Sequence, residues 1–198
     1  KKNLILSHLA LFTANLIYAG NYTIAKEVMP EFIGPFGMIL LRVLVAALIF
    51  TFCHVCFFKD PIKEKKDYLH LLICALFGVA INQLMFFKGL SMTNPINPAI
   101  IMMATPIMVL IASFFLLNES LNAKKIIGIL LGVIGSVVLI ISSASDSFGL
   151  SSSNALGDFF VLINASSYGI YLVAVKPLMT KYHPMTIMRW IFSFGIFL

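Results

Sequence analysis

The chain has 198 residues, of which 60% are hydrophobic and 11% are charged, and its mean hydropathy is +0.99. Soluble domains carry about 25% charged residues, so this chain has too little polar surface to cover a globule in water. The composition therefore excludes a soluble protein and indicates that lipid is the solvent. In that setting the net charge of +6 reports on orientation in the membrane, and we expect no nucleic-acid partner.

Six apolar runs reach the length of about 20 residues that a membrane helix needs. They are Leu4–Ala25, Phe36–Phe58, Leu69–Phe87, Ile96–Leu117, Lys125–Ser142 and Leu156–Val175, and a seventh begins near Met185. The runs are too long for strands and lack regular turn signals, so we predict an all-α polytopic bundle. Because the chain begins without Met and its last run stops at Leu198, we expect a piece of a longer protein of the inner membrane.

The distribution of lysines predicts the orientation of the bundle. If the N-terminus is cytoplasmic, ten lysines lie in the inside segments and only Lys26 and Lys88 lie near the outside, as the positive-inside rule requires. The Ser-rich stretch Ser142–Asn154 contains no Lys or Arg. We predict that it is an extracytoplasmic linker between two units.

A sequence pattern from the first span recurs about 150 residues later, in the sixth. In both copies a Tyr and a Lys keep the same spacing, and a Pro-containing turn and an Arg follow. The matching pairs are Tyr18 and Tyr168, Lys26 and Lys176, Pro35 and Pro184, and Arg42 and Arg189. Five predicted spans separate the copies, so the second copy should be inverted in the membrane. Inverted repeats are typical of alternating-access carriers.

Polar side chains recur on one face of the first and the sixth predicted spans. They are Asn15, Tyr18, Asn21 and Tyr22 in the first span, and Asn164, Tyr168 and Tyr171 in the sixth. Polar groups on a helix in lipid should face the bundle interior. We predict that the two stripes converge on one central cavity, with hydrogen bonding between helices as the alternative.

Arg42 follows Pro35 by seven residues, which places it about 10 Å into the membrane. Burying a guanidinium there costs at least about 2.5 kcal/mol, so it should have a partner. We consider Glu27, Glu31 or a substrate carboxylate as that partner, and snorkelling to the outer interface as the alternative. Lys26, at the end of its span, is expected to snorkel.

The third and fourth spans carry further candidate residues for a substrate pathway. Asn82 and Gln83 lie near mid-membrane, where their amides either line a cavity or join helices. Pro106 frees the carbonyl of Met102 and should bend the fourth span. The Thr105 hydroxyl is placed to bind part of the freed backbone.

Catalytic and metal-binding patterns are weak in this sequence. HExxH, GxSxG and phosphate-loop motifs do not occur, so we predict that the protein is not an enzyme. Cys53 and Cys56 form a CxxC without a second ligand pair, and we interpret them as small buried residues. We expect neither a metal nor a cofactor.

Two further patterns favour structural roles. Asp67 and His70 share a helix face at the cytoplasmic surface, where a structural or solvated pair is the expected interpretation. Gly128, Gly132 and Ser136 recur at four-residue spacing in the fifth span, which predicts close packing against another helix.

Together these features resemble the EamA-like family of the drug/metabolite transporter superfamily, over essentially the whole chain. The resemblance rests on the run from Tyr18 to Lys26, Arg42 after its Pro turn, the bend Gly-Leu-Ser-Met-Thr-Asn-Pro at 89–95, Pro106, and Asn-Glu-Ser-Leu at 118–121 before a Gly-rich span. The chain departs from the family at Tyr18-Ala19, where Trp-Gly is usual, and at Asn118, where Gly is usual.

The resemblance implies ten spans in two inverted five-helix repeats with cytoplasmic termini. Residues 1–145 would then form the first repeat, 146–156 the extracytoplasmic linker and 157–198 the truncated start of the second. The implied activity is the movement of small metabolites, often amino acids or related compounds and usually outward. A sugar-nucleotide or phosphate-ester carrier and a non-transporting membrane scaffold stay open as alternatives. The expected partners are a small-molecule substrate and the lipid bilayer, and a homodimer is compatible with this picture.

Overall fold

The computed structural model describes the backbone of residues 2–29, 31–58, 60–93, 96–118, 122–131, 134 and 152–198. The regular elements of these residues are helices. They are α1 (Lys2–Val28), α2 (Pro35–Cys53), α3 (Lys65–Ala75), α4 (Ile81–Met92), α5 (Ile96–Met102), α6 (Thr105–Leu117), α7 (123–131), α8 (Ser152–Met179) and α9 (Pro184–Gly195). The predicted all-α fold of a polytopic membrane protein is confirmed.

Four helical segments of the described residues are both long and apolar enough to cross a membrane. They are Pro35–Phe58, Lys65–Met92, Ile96–Leu117 and Ala155–Met179. The helix α1 has the length to cross, at 27 residues, but Asn15 and Asn21 interrupt its apolar sequence. Most of the predicted fifth span and of the predicted linker lies outside the described residues. Because α8 begins at Ser152, the last residues assigned to the linker, up to residue 156, are helical.

Local irregularities divide two of the spans. A π-helical stretch, Leu76–Ala80, joins α3 to α4 within one span. The fourth span is interrupted between α5 and α6, where Pro106 stands in the first turn of α6 and its missing N–H is tolerated. Thr105 Oγ1 donates to the Met102 carbonyl at 2.7 Å. The predicted contact of Thr105 is confirmed, and the α-helix is interrupted by a turn at Met103 and Ala104, directly before it.

The helix α6 ends in a left-handed residue. Asn118 adopts φ 51° and ψ 33° directly after Leu117. This conformation is strained for most side chains, and Gly and Asn adopt it most readily at helix ends. The conformation explains how Asn can replace the Gly that is usual at this position.

The helix α8 packs along both α4 and α6, and glycines permit the close approach. A Cβ atom added to Gly89 of α4 would lie 2.7 Å from the Gly157 carbonyl oxygen of α8. One added to Gly169 would lie 2.8 Å from the Met108 backbone of α6. The predicted packing glycine Gly128 has no described atom within 4 Å of such a Cβ. The other members of that pattern lie outside the described residues.

The helices α1 and α8 run in opposite directions. Near the C-terminal end of α1, Lys26 Nζ donates to the Thr93 carbonyl at 2.8 Å, and Thr93 Oγ1 donates to Asp158, near the N-terminal end of α8, at 2.8 Å. Those two ends therefore lie at the same end of the bundle. This is the relative direction that the inverted alignment requires, and the division into two five-helix repeats stays a prediction.

Candidate functional site

A cavity of about 400 Å³ opens between α1, α4, α8 and the break that separates α5 from α6. Its wall is formed by Ala14, Asn15, Tyr18, Asn82, Met102, Thr105 and Tyr168. The cavity thus brings together polar side chains that are up to about 150 positions apart in the chain. Four of them, on α1, α4 and α8, belong to the predicted substrate pathway.

The amide of Asn164 has a different role from that of its neighbour Tyr168. Asn164 is 1% exposed, and its Nδ2 donates to the Asn82 backbone carbonyl at 2.8 Å. One turn later, Ser167 Oγ donates to the Phe77 carbonyl at 2.6 Å. These bonds fix α8 against the span that contains α4, and they place Tyr168 towards the cavity. Asn164 was predicted to face the central cavity, with hydrogen bonding between helices as the alternative. The structure shows the alternative.

Two tyrosines of the predicted stripes pack inside the bundle. Tyr22 is buried, and its ring meets the rings of Tyr18 and Phe86 edge-on, with centroids 5.5 and 5.3 Å apart. Tyr171 stacks on Tyr168 with centroids 5.9 Å apart, and it fills the space over Gly78. Neither Tyr22 nor Tyr171 lines the cavity, but each supports a tyrosine that does.

Arg42 and Gln83 line a second cavity, of about 380 Å³. Its wall is formed by Leu41, Arg42, Val45, Ala46, Ile49, Gln83 and Phe192. Asn82 faces the first cavity and the adjacent Gln83 the second, so the two cavities lie on neighbouring sides of α4. Pro106 lines neither cavity, although its neighbours Thr105 and Met102 line the first.

The partner of Arg42 is an amide. Its Nη1 donates to Asn21 Oδ1 at 2.6 Å, and its guanidinium carbon lies 5.0 Å from the centre of the Phe87 ring. Neither Glu27 nor Glu31 is that partner, because they follow Asn21 by more than one helical turn and lie too far along the chain. The guanidinium is held against α1 and α4, with further N–H groups that Asn21 does not occupy.

Lys26, which the sequence predicts to snorkel, caps a helix. Its Nζ donates to the carbonyls of Leu90, Ser91 and Thr93 at 2.9, 3.2 and 2.8 Å. The last carbonyls of a helix lack partners within the helix, and the helix dipole favours a cation there. The ammonium of α1 thus satisfies the C-terminal end of α4.

An acidic residue that was not predicted joins helices at that same end. Asp158 accepts a hydrogen bond from Thr93 Oγ1 at 2.8 Å and one from Asn97 Nδ2 at 3.0 Å. We call these three residues the Asp158 link. Asp158 stands more than 60 residues from both Thr93 and Asn97, and no local spacing in the sequence connects it to them.

A second link lies at the opposite end of the bundle. Asp67, at the start of α3, is 4% exposed and accepts hydrogen bonds from Tyr182 Oη at 2.8 Å and from Lys181 Nζ at 3.2 and 3.3 Å. Lys181 also reaches Glu64 at 3.3 Å. We call Glu64, Asp67, Lys181 and Tyr182 the Asp67 link. Its hydrogen bonds, above all those to Asp67, raise the pKa of Lys181 above its ordinary value.

The predicted structural role of Asp67 and His70 is fulfilled with different partners. His70 Nε2 donates to the Ala174 carbonyl of α8 at 2.8 Å, while Asp67 binds the α8–α9 turn. Both residues therefore join α3 to the later part of the chain. Within the described ranges, no three His, Cys, Asp or Glu side chains are arranged to bind a metal ion. Cys53 and Cys56 are free thiols, and the interpretation of both as buried residues is wrong, because Cys53 is half-buried and Cys56 is exposed.

Comparison with known proteins identifies the family of this chain. The profile of the EamA-like transporter family matches residues 5–141. An uncharacterized transporter of Archaeoglobus fulgidus is 29% identical over 192 residues, which cover 96% of this chain and 64% of the relative. The uncharacterized transporter YetK of Bacillus subtilis is 27% identical over 92% of this chain and 55% of its own length.

A more distant relative comes from a plant. The chloroplastic WAT1-related protein of Arabidopsis thaliana is 26% identical over 83% of this chain and 39% of its own length. The chain thus spans less than two thirds of the length of each of these relatives, and no solved structure matches it. With its apolar spans and its match over residues 5–141, the chain is a multi-pass membrane protein of the EamA-like transporter family.

Proposed function

We propose that the full-length protein is an alternating-access carrier that moves small organic solutes, amino-acid-like compounds among them, outward across the inner membrane. The observation that carries this proposal is the 400 Å³ cavity. Its polar wall combines Tyr18 from the first copy of the recurring pattern, and Asn15 one turn before it, with Tyr168 from the second copy. In carriers built from inverted repeats, the substrate site lies near the bilayer midplane where the repeats meet.

The chemistry of the wall suits a small polar solute. The cavity lies in the volume range of small-molecule sites, and amide and hydroxyl groups on its wall can donate and accept hydrogen bonds. The rings of Tyr18 and Tyr168 offer apolar surface to the rest of the solute. On the neighbouring side of α4, Arg42 supplies a guanidinium whose planar geometry matches a carboxylate. The substrate pathway that we propose includes both cavities.

The orientation that we propose places the Asp67 link at the cytoplasmic face. Lys63, Lys65 and Lys66 lie in the α2–α3 connection and the first turn of α3, and Lys181 lies in the α8–α9 turn at the same end. The positive-inside rule assigns such an end to the cytoplasm. The Asp158 link then lies at the outer face.

The carrier function is tested by screening cells that express the full-length gene for export of small organic solutes. We expect that Asn82→Leu lowers export of the identified solute by about tenfold, because it removes an amide from the cavity. The backbone carbonyl that Asn164 binds is unchanged by this substitution. Phe115→Leu, at a 73% exposed position away from both cavities, is the matched control.

A full-length protein that exports none of the solutes at normal abundance would contradict the carrier function. A variant Asn82→Leu that exports at the control rate would leave the carrier function intact but would remove the 400 Å³ cavity from the substrate pathway.

A further inference from the structure

The Asp67 link is unusual in this bundle because it buries an ionised group. The Asp67 carboxylate accepts from both Tyr182 and Lys181, and it is almost completely shielded from solvent. A buried carboxylate is tolerated only where several donors compensate its lost hydration. The donors here are supplied by the turn between α8 and α9, so the carboxylate and that turn depend on each other.

The connection between α2 and α3 is joined to the same turn at two more points. The Lys63 backbone N–H donates to Tyr182 Oη at 3.2 Å, and the His183 N–H donates to Asp60 Oδ2 at 3.1 Å. Thr186 Oγ1, in the first turn of α9, donates to the Asp60 carbonyl at 3.2 Å. These bonds run between two parts of the chain that are more than 115 residues apart.

A layer without access to water lies directly inside this end. Leu71 and Cys74 of α3 are 0% exposed, and they belong to one apolar cluster with Val175 and Leu178 of α8 and Ile187 of α9. Each of these three partners is at most 3% exposed. A solute that leaves the cavities towards this end would pass between α3, α8 and α9. On that path it would have to separate the apolar layer and then break the Asp67 link, which lies nearer the end of the bundle.

We propose that the Asp67 link is a latch that holds the cytoplasmic end of the carrier closed and breaks whenever that end opens. The latch rests on the proposed function, because alternating access requires the two copies to move relative to each other. Asp67 lies in the first of the two predicted repeats, and Lys181 and Tyr182 lie in the second. The carboxylate positions the α8–α9 turn and does not itself contact the solute.

Cys74 is a natural reporter for the state of the latch. Its side chain is fully buried in the apolar layer, and a maleimide reacts only with a thiol that water can reach and ionise. The experiment uses the full-length protein with every other cysteine replaced by alanine, including Cys53 and Cys56. A membrane-impermeant maleimide is applied from the cytoplasmic side, and the labelling rate of Cys74 is measured without any solute.

Two variants weaken the latch in different ways. Asp67→Asn keeps the shape and an acceptor for Tyr182 but loses the charge that Lys181 binds, and we expect labelling about tenfold faster. Lys181→Met acts at a side chain that is 41% exposed, and we expect an increase of about threefold. Asp158→Asn makes the same chemical change at the opposite end and should leave the rate unchanged.

The outcomes separate the latch from the carrier function. If labelling is faster in Asp67→Asn and Lys181→Met but not in Asp158→Asn, the result supports the latch, whether or not an exported solute has been found. If Asp67→Asn does not fold, Lys181→Met decides alone. Wild-type rates in every folded variant overturn the latch and leave the carrier function intact. An equal increase in Asp158→Asn also overturns it, because the bundle would then be loosened as a whole.

Discussion

The N-terminal end of α8 and the turn that follows its C-terminal end are joined to the rest of the bundle by different kinds of contact. At one end, the Asp67 carboxylate meets an ammonium and a phenol. At the other end, Asp158 accepts from a hydroxyl and an amide, and the backbones of Gly89 and Gly157 approach each other beside it. Side-chain bonds can be exchanged for bonds to water, whereas a close backbone approach is lost only when the helices part. Substitutions of similar size should therefore have different consequences at the two ends.

The largest loss of stability is expected where the backbones approach. In Gly89→Ala the new Cβ would lie 2.7 Å from the Gly157 carbonyl and 2.8 Å from Val161 Cγ2. The carbonyl cannot move without parting α4 from α8, so we expect a loss of about 1–3 kcal/mol in the free energy of unfolding. The measurement is the unfolding curve of the full-length protein in detergent.

Gly20→Ala is the matched control for that substitution. Gly20 lies in α1 with no described atom within 4 Å of an added Cβ, so alanine should be neutral or gain up to about 1 kcal/mol from its helix propensity. Equal behaviour of the two alanine variants would show that the approach of α4 and α8 is not tight, and the contrast between the two ends would fail.

A smaller loss is expected from Lys26→Met at the same end. The methionine keeps the apolar stem but leaves the carbonyls of Leu90, Ser91 and Thr93 without their shared donor. We expect a loss of about 1 kcal/mol, because water can reach part of this site and replace some of the bonds. The midpoint of thermal unfolding in detergent measures it.

Lys88→Met changes an exposed lysine on α4 and provides the comparison for Lys26→Met. Its unfolding midpoint should stay at the wild-type value. A midpoint for Lys26→Met that equals that of Lys88→Met would mean that Lys26 contributes nothing as a cap and snorkels, as its sequence position alone suggests.

The spans were predictable because bilayer thickness limits their length and lipid forces their backbones into helices. The ends were less predictable, since polar residues are tolerated where a helix leaves the hydrocarbon. The third span was predicted from Leu69 to Phe87 and extends from Lys65 to Met92. Hydropathy identifies the part of a helix that lies in lipid, but it does not identify the turns of the same helix that extend beyond the lipid.

The candidate site was predictable only in outline. Helical periodicity places Tyr18 and Tyr22 on one broad face, but it does not say which of them shares a cavity with Tyr168 and which packs against Phe86. The partner of Lys26 is a set of backbone carbonyls, which leave no mark in a sequence. Asp158 depends on the register of α8 against α4, which follows from the fit of Gly89 and not from any local pattern.

The smallest effect is expected from Lys66→Met, beside the Asp67 link. Lys66 Nζ lies 2.7 Å from Glu64 Oε2, which is closer than Lys181 lies to either of its acidic partners. The hydrogen bond from Lys66 is the main cause that lowers the pKa of Glu64. The Lys66 side chain is nevertheless 76% exposed, and water and salt screen an ion pair of this kind. We expect no measurable change in the unfolding midpoint or in Cys74 labelling. Lys181→Met, whose ammonium reaches the buried carboxylate, should accelerate labelling in the same assay. Equal labelling by the two methionine variants would mean that burial of Asp67 adds nothing to the link, and the contrast between the two ends would then rest on the glycines alone.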